Sequence, residues 1–238
     1  MKYNILAGEH ISKKYGKNSV LKDVSIHVKQ GEIYGLIGKN GSGKTTLLRI
    51  LSGLIPNFGG DVIVGERNGG SCKVAAVISS PALFLNMTVI ENMREQAVLL
   101  GLNNTDKIVQ VLETVGMENC CNQLARDLSL GMAQRLKLGM ALLENPDILI
   151  LDEPVNGLDP DGIADLRELL HRLNKEIGMT ILISSHILSE LENTATCFGI
   201  LNNGEITREL SIRDIRQSNS TLESLYMQYT KGGYKNNA

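Results

Sequence analysis

A short glycine-rich stretch limits what this chain can fold into more than any other part of the sequence. It fits the pattern G-x-x-x-x-G-K-[ST] and lies between an apolar run at 33–37 and an apolar helical pattern. The stretch reads Gly38-Lys39-Asn40-Gly41-Ser42-Gly43-Lys44-Thr45. Glycines let a backbone wind around a phosphate chain and aim its N–H groups inward, while the following helix offers its positive end. The pattern predicts a phosphate-binding loop; the alternative is an ordinary glycine-rich turn between a strand and a helix.

The side chains of this loop predict particular contacts with a nucleotide. Lys44 supplies a point charge for the outer phosphates, and the Thr45 hydroxyl is placed to ligate Mg²⁺. We expect nucleotide contacts from the whole run, namely Gly38, Lys39, Asn40, Gly41, Ser42, Gly43, Lys44, Thr45 and Thr46.

The composition fits one globular domain and argues against nucleic acid as a partner. The chain has 238 residues, of which 42% are hydrophobic, enough for a sizeable core. A net charge of −2 leaves no basic field of the kind that nucleic-acid binding needs. The four cysteines show no C-x-x-C spacing, so we expect reduced thiols in the cytosol.

The sequence predicts no segment that crosses a membrane by itself. No apolar run of the signal-peptide kind follows the N-terminus. The longest uncharged stretch, 74–90, is broken by Ser79, Ser80, Pro81 and Asn86, which are costly in lipid. The protein is therefore expected to stay inside the cell.

Strand and helix patterns alternate along the chain and indicate an α/β protein. Apolar residues alternate at 24–28, which predicts a half-exposed strand of an antiparallel flap with His27 on its solvated side. The helix after the loop is expected to bury Leu54. Buried strands are predicted at 33–37, 74–78, 148–151 and 180–184. Alternation of such strands with helices is typical of a parallel sheet.

The remaining segments predict an inserted group of helices and a closing hairpin. Residues from about 82 to 143 have helical patterns that begin with a capping box at Thr88 and Glu91. A hairpin is expected across Asn203-Gly204, and the chain is expected to fray from about Thr230.

Two adjacent carboxylates end the buried strand at 148–151. Asp152 is expected to hold Mg²⁺, directly or through water, while Glu153 orients and polarises the attacking water. The alternative is that both carboxylates cap a strand end that faces solvent. Together with Lys44 and Thr45 they favour a nucleotide hydrolase.

With two further motifs in the same order, the chain resembles the nucleotide-binding subunit of an ATP-binding cassette (ABC) transporter. These motifs are Leu128-Ser129-Leu130-Gly131-Met132 and Ser184-Ser185-His186. The resemblance implies a RecA-like P-loop NTPase core at 1–81 and 144–230 with an antiparallel β flap, an inserted α-helical subdomain at about 82–143, and a disordered tail at 231–238. It also implies ATP with Mg²⁺, and two cassettes that sandwich each ATP.

The resemblance assigns further site residues. Ser129 and Gly131, at a helix N-terminus, are expected to bind the γ-phosphate held by the other cassette. Tyr15 is expected to stack on adenine, with a plain surface tyrosine as the alternative. His186 matches the family's histidine that contacts the γ-phosphate, and Asp159 belongs to the loop through which the cassettes sense each other.

Two departures from the family pattern stand out. Ser79 replaces the usual glutamine, which shortens the side-chain link between Mg²⁺ or water and the helical subdomain. The signature segment 128–132 also differs from the usual Leu-Ser-Gly-Gly-Gln. This variant is similar to the bacitracin-resistance and lantibiotic-immunity group of cassettes, as are Ser80-Pro81 and the run 85–92.

The resemblance implies an ATPase that drives a separate membrane permease from the cytoplasmic face of the membrane. Leu83, Phe84 and Leu85 are expected to line the permease groove, although all three could equally be core. The subgroup suggests an antimicrobial peptide moved outward as cargo. Two alternatives stay open, namely a non-transport ABC ATPase and a regulatory nucleotide-binding subunit.

Overall fold

The fold is an α/β arrangement of two main sheets, one two-stranded ribbon and eight α-helices in the residues that the computed structural model describes, which are 3–67, 69–78, 83–102, 105–218 and 220–231. The strands are β1 (Asn4–Tyr15), β2 (Asn18–Lys29), β3 (Ile33–Ile37), β4 (Gly59–Val64), β5 (Glu66–Arg67), β6 (Gly70–Ser71), β7 (Val74–Val77), β8 (Ile148–Asp152), β9 (Thr180–Ser185), β10 (Cys197–Asn202) and β11 (Glu205–Ser211). β5 and β6 form only a short ribbon. The helices are α1 (Lys44–Leu51), α2 (Val89–Leu99), α3 (Thr105–Thr114), α4 (Leu130–Leu142), α5 (Pro160–Ile177), α6 (Leu188–Thr194), α7 (Ile212–Gln217) and α8 (Leu222–Lys231).

The six-stranded sheet has the order β11-β10-β3-β9-β8-β7, and only β11 runs antiparallel to its neighbour. Its central strands are almost entirely buried, because helices or the second sheet cover both faces. The carboxyl ends of β3, β8 and β9 meet at one edge, as parallel strands require. That edge carries the phosphate-loop sequence after β3, Asp152 and Glu153 at the end of β8, and His186 after β9.

The second sheet has the order β2-β1-β4 and is antiparallel. Its apolar side packs with α1 and with Tyr34 of β3 in one cluster of buried residues. The predicted antiparallel flap is therefore confirmed. Leu54 is not part of this core, because α1 ends at Leu51, Gly53 turns with a φ of 78°, and Leu54 is 63% exposed. The expectation that Leu54 is buried is wrong.

Three helices, α2 to α4, lie between β7 and β8. The capping box at the start of α2 is confirmed, since Thr88 Oγ1 accepts from the Glu91 N–H and the Glu91 carboxylate accepts from the Thr88 N–H. The fully buried Asn92 amide accepts from the Phe84 N–H and donates to the carbonyls of Phe84, Met87 and Thr88. This one side chain fixes the loop 84–88 on the helix.

The C-terminal hairpin is confirmed, with Asn203 and Gly204 at positive φ between paired Asn202 and Glu205. The expectation that the chain frays from about Thr230 is wrong for that residue, because α8 extends through Lys231. Residues 232–238, the departure at Ser79 and the subgroup feature Ser80-Pro81 lie outside the described residues. Within the described ranges, every helix is too short or too polar to cross a bilayer.

Candidate active site

The backbone between β3 and α1 winds so closely that glycine is required at two positions. Gly43 has a φ of 108°, and a Cβ placed there would lie 2.8 Å from Leu21 Cδ2. A Cβ at Gly38 would lie 2.6 Å from the carbonyl oxygen of Leu201. The loop is thus held between the flap and β10, and it presents its backbone to the sheet edge.

Lys44 begins α1 and turns its side chain back into the loop. The side chain is 5% exposed, and Nζ donates to the Gly38 carbonyl at 2.7 Å. The same Nζ forms an ion pair with Glu153 Oε1 at 3.0 Å. A buried ammonium next to a loop of glycines provides a charge for phosphate oxygens.

Thr45 and Asp152 lie side by side across the sheet edge. Thr45 Oγ1 donates to Asp152 Oδ2 at 2.7 Å, and Ser184 Oγ donates to Asp152 Oδ1 at 2.7 Å. A hydroxyl and a carboxylate are the hard oxygen ligands that Mg²⁺ takes, with water and substrate phosphate filling the rest of its shell. These residues therefore fit Mg²⁺.

Glu153 lies between Lys44 and His186 and contacts both. Its Oε2 lies 2.7 Å from His186 Nδ1 and accepts from the His186 N–H at 3.4 Å. Its backbone has a φ of 51°, a left-handed conformation that costs a non-glycine residue about 1–3 kcal/mol. The side chain is 15% exposed, so the strained turn holds a mostly buried carboxylate between two basic groups.

Tyr15 is the last residue of β1, at the turn into β2, where it pairs with Asn18. The ring is half-exposed, and Lys13 Nζ lies 5.3 Å from its centroid. Val20, a little further along β2, has its carbonyl oxygen 3.1 Å from where a Cβ of Gly43 would lie. A half-exposed aromatic ring on the hairpin that contacts the loop through Val20 suits stacking on a base.

Ser129 and Gly131 lie apart from the loop residues. Ser129 is the N-cap of α4, and its Oγ accepts from the Met132 N–H. Both residues line a cavity of about 500 Å³ together with Asp159, and none of the residues 38–46 borders it. The structure thus groups the loop, Asp152, Glu153 and His186 in one chain, and places Ser129 and Gly131 at a second position.

Two polar residues near the carboxylates had no predicted role. Ser184 is fully buried at the end of β9 and contacts both Asp152 and Glu153. Lys137 of α4 lines a cavity of about 310 Å³ that also borders Asp152 and Glu153. The sequence indicates Ser184 as part of the motif Ser184-Ser185-His186, and as a hydroxyl where a buried parallel strand usually has an apolar residue, but neither signal assigns it a contact.

Comparison with known proteins gives the family. The family model described as ABC transporter matches residues 21–156, and a shorter match to a model described as an AAA domain covers residues 121–192. The chain belongs to the ABC transporter family and is an ATP-binding, ATP-hydrolysing cassette. The predicted family is confirmed.

Two named relatives share 40% of their aligned residues with this chain. The bacitracin transport ATP-binding protein BcrA of Bacillus licheniformis aligns over 90% of this chain and 72% of its own length. The lantibiotic transport ATP-binding protein SrtF of Streptococcus pyogenes aligns over 84% of this chain and 88% of its own length. These relatives confirm the predicted subgroup resemblance.

Solved structures confirm the P-loop NTPase cassette fold. The structure described as the ATP binding subunit of an ABC transporter has a TM-score of 0.80 and 31% identity, over 94% of this chain and 99% of that chain. A dimeric cassette, MJ0796 bound to ADP and Pi, has a TM-score of 0.75 and 25% identity, over 87% of this chain and 99% of that chain. ABC ATP-binding subunits dimerise and work with membrane permeases.

Proposed function

We propose that two copies of this chain sandwich each Mg·ATP between the phosphate loop of one copy and Ser129 and Gly131 of the other. The observation that carries this proposal is the geometry of the sheet edge, where Lys44 and His186 both contact Glu153 and Thr45 contacts Asp152. Ser129 and Gly131 line a different cavity, which no residue of 38–46 borders, so in this proposal a second copy supplies them.

In this proposal the residues of the sheet edge divide the work of hydrolysis. Lys44 and the loop bind the phosphates, and Thr45 and Asp152 hold Mg²⁺, which neutralises charge on the phosphate oxygens. Glu153 orients and polarises the attacking water, and His186 contacts the γ-phosphate and keeps the Glu153 carboxylate in place. Tyr15 stacks on adenine.

The proposed task of the cassette is to drive a separate permease at the cytoplasmic face of the membrane, with an antimicrobial peptide or related compound as outward cargo. The names of BcrA and SrtF support this cargo class. Phe84 and Leu85 support a docking surface, because they are 50% and 57% exposed on the loop that Asn92 fixes. The RecA-like core at 1–81 and 144–230 and the helical subdomain at 82–143 are the proposed division of the chain.

Dimerisation tests the sandwich. Glu153→Gln keeps the shape of the side chain but removes the charge that polarises water, so we expect it to accumulate an ATP-bound dimer in size-exclusion chromatography with Mg·ATP. Lys44→Ala is expected to lose ATP binding and to stay monomeric. Glu176→Gln, an equal charge change on an exposed face of α5, is the control. A purified Glu153→Gln variant that binds ATP but stays monomeric would contradict the homodimer and favour an unlike partner cassette.

Membrane fractionation separates transport from the two alternatives. We expect the chain to sediment with membranes only when its permease is co-expressed, and Phe84→Asp with Leu85→Asp to abolish that sedimentation. Membrane binding by the cassette alone that survives high salt would contradict this dependence. Full ATPase activity with no sedimentation under any co-expression would favour a non-transport ATPase.

A further inference from the structure

Ser184 links Asp152 and Glu153, the two carboxylates at the sheet edge, through one hydroxyl group. It lies opposite Asp152 in the register of β8 and β9 and is fully buried. Its Oγ lies 2.7 Å from Asp152 Oδ1 and 2.9 Å from the Glu153 backbone nitrogen. A hydroxyl has one proton to donate, and a backbone N–H can only donate. The Ser184 proton therefore points at Asp152, and its lone pair accepts from Glu153.

The bond to Asp152 fixes the plane of that carboxylate. Ser184 donates to Oδ1 and Thr45 donates to Oδ2, so each oxygen has its own donor from a different element. If the Thr45 hydroxyl turns its lone pair to Mg²⁺, Ser184 is the donor that still orients Asp152. Hydrogen bonds to an ionised carboxylate are about twice as strong as neutral ones, so this contact resists rotation.

The bond to Glu153 holds a strained backbone. Glu153 is left-handed, and its N–H has Ser184 Oγ at 2.9 Å and the Ser184 carbonyl oxygen at 3.2 Å. Without the hydroxyl, the shorter of these contacts is lost. The turn that places the Glu153 carboxylate between Lys44 and His186 therefore depends on β9 as well as on β8.

We propose that Ser184 is a positioning residue for ATP hydrolysis, which sets the orientation of Asp152 toward Mg²⁺ and the backbone of Glu153 toward water. This inference rests on the proposed Mg²⁺ site at Thr45 and Asp152. The competing role is purely structural, with the hydroxyl doing no more than satisfying a buried N–H at a strand end.

The test compares Ser184→Thr with Ser184→Val, which have nearly the same volume and differ in the hydroxyl. Mn²⁺ binding to the ADP complex of the full chain, followed by electron paramagnetic resonance of free Mn²⁺, reports the metal site without turnover. We expect Ser184→Val to weaken Mn²⁺ binding by about tenfold and Ser184→Thr by less than about threefold. The Mg²⁺ concentration that half-saturates ATP hydrolysis should rise in the same order, and ADP affinity in excess chelator should stay unchanged.

Thr180→Val is the matched control. Thr180 is fully buried at the other end of β9, and its hydroxyl accepts from the Gly31 N–H at 2.9 Å. We expect it to lower the unfolding temperature without changing Mn²⁺ binding. If Ser184→Val does not fold, Ser184→Ala takes its place in the comparison with Ser184→Thr.

Three results would overturn the inference. Equal Mn²⁺ binding by Ser184→Val and the wild type would leave only the structural role. Equal loss in Ser184→Thr and Ser184→Val would assign the effect to volume. Wild-type protein whose ADP complex binds no Mn²⁺ would remove the metal site itself, whereas failure of the dimer test with normal Mn²⁺ binding would contradict the sandwich alone.

Discussion

Two clusters in this molecule each pair a histidine with a glutamate, and they differ in how completely their polar atoms are satisfied. One is the catalytic edge, with Glu153 and His186. The other, the sheet junction, consists of Glu9 of β1, His27 of β2, Tyr34 of β3 and Glu209 of β11. Tyr34 donates to Glu209 Oε1 at 2.6 Å, and the two ring nitrogens of His27 lie 3.2 Å from Glu209 Oε2 and 3.0 Å from Glu9 Oε1.

At the sheet junction both ring nitrogens and both oxygens of Glu209 have partners. At the sheet edge that carries Glu153 and His186, by contrast, Glu153 Oε1 has an ion pair with Lys44 but no hydrogen bond, Ser42 Oγ is buried without a hydrogen bond in the described part of the chain, and Glu153 is left-handed. Saturated networks stabilise a fold, whereas strain and unsatisfied buried atoms collect at functional sites. The difference indicates that the cluster of Glu153 and His186 is a chemical site and that the sheet junction is structural.

The largest expected effect concerns turnover. We expect Glu153→Gln to lower ATP turnover by about a hundredfold or more at saturating Mg·ATP, because the amide cannot polarise water. The unfolding temperature should stay close to that of the wild type. Glu209→Ala should instead lower the unfolding temperature and keep turnover per folded molecule within about threefold of the wild type. A Glu153→Gln variant with near-normal turnover would contradict the assignment of the chemistry to the cluster of Glu153 and His186.

A smaller effect is expected on the stability of the sheet junction. Glu209→Ala leaves the buried Tyr34 hydroxyl without its acceptor, which costs about 1–3 kcal/mol of unfolding free energy in urea titrations. Tyr34→Phe in the same background removes the stranded hydroxyl and should recover part of that loss. A double-mutant cycle measures the coupling. Strictly additive losses would show that the two side chains do not act together.

The smallest effect is a dependence on pH. Burial lowers the pKa of His27, but the hydrogen bonds and charges of Glu209 and Glu9 outweigh it and raise the pKa above its usual 6.5. A raised pKa favours the protonated folded state, so this contribution is complete below pH 6.5 and is lost as pH rises through the folded value. His27 is 37% exposed, and solvent screening limits the contribution to a fraction of about 1 kcal/mol.

His27→Gln tests this dependence in urea titrations from pH 5.5 to pH 8.5. The wild type should lose more unfolding free energy than the variant over this range, with the other histidines common to both. Parallel curves for the two proteins would mean that His27 gains nothing from its two carboxylates.

The sequence predicts best those features that neighbouring residues determine. The phosphate loop, the capping box at Thr88 and the hairpin at Asn203-Gly204 are local patterns, in which a few neighbouring residues determine the backbone. His27 lies on the less buried side of β2, as predicted, and is 37% exposed, but its two carboxylate partners were not predicted. Its alternation with Ile26 and Val28 gives its side of β2, but not that Glu209, far along the chain, covers that side.

The residues of the candidate site also fall into those that the sequence predicts and those that it does not. Lys44, Thr45, Asp152 and Glu153 belong to motifs whose chemistry can be read from residue type and order. The contacts of Ser184 depend on the register of β8 against β9, which no local pattern specifies. Leu54 shows that a local pattern can also mislead. Its spacing continues the apolar face of the helix, but α1 ends at Leu51.

The buried Asn92 amide has a mechanical consequence. Its four hydrogen bonds join the loop that carries Phe84 and Leu85 to the first turn of α2, so the loop and the helix move as one body. Further along α2, Met93 Sδ lies 3.5 Å from where a Cβ of Gly139 in α4 would stand. A force applied at Phe84 and Leu85 would therefore be transmitted to α2 and α4 with little deformation of the loop itself.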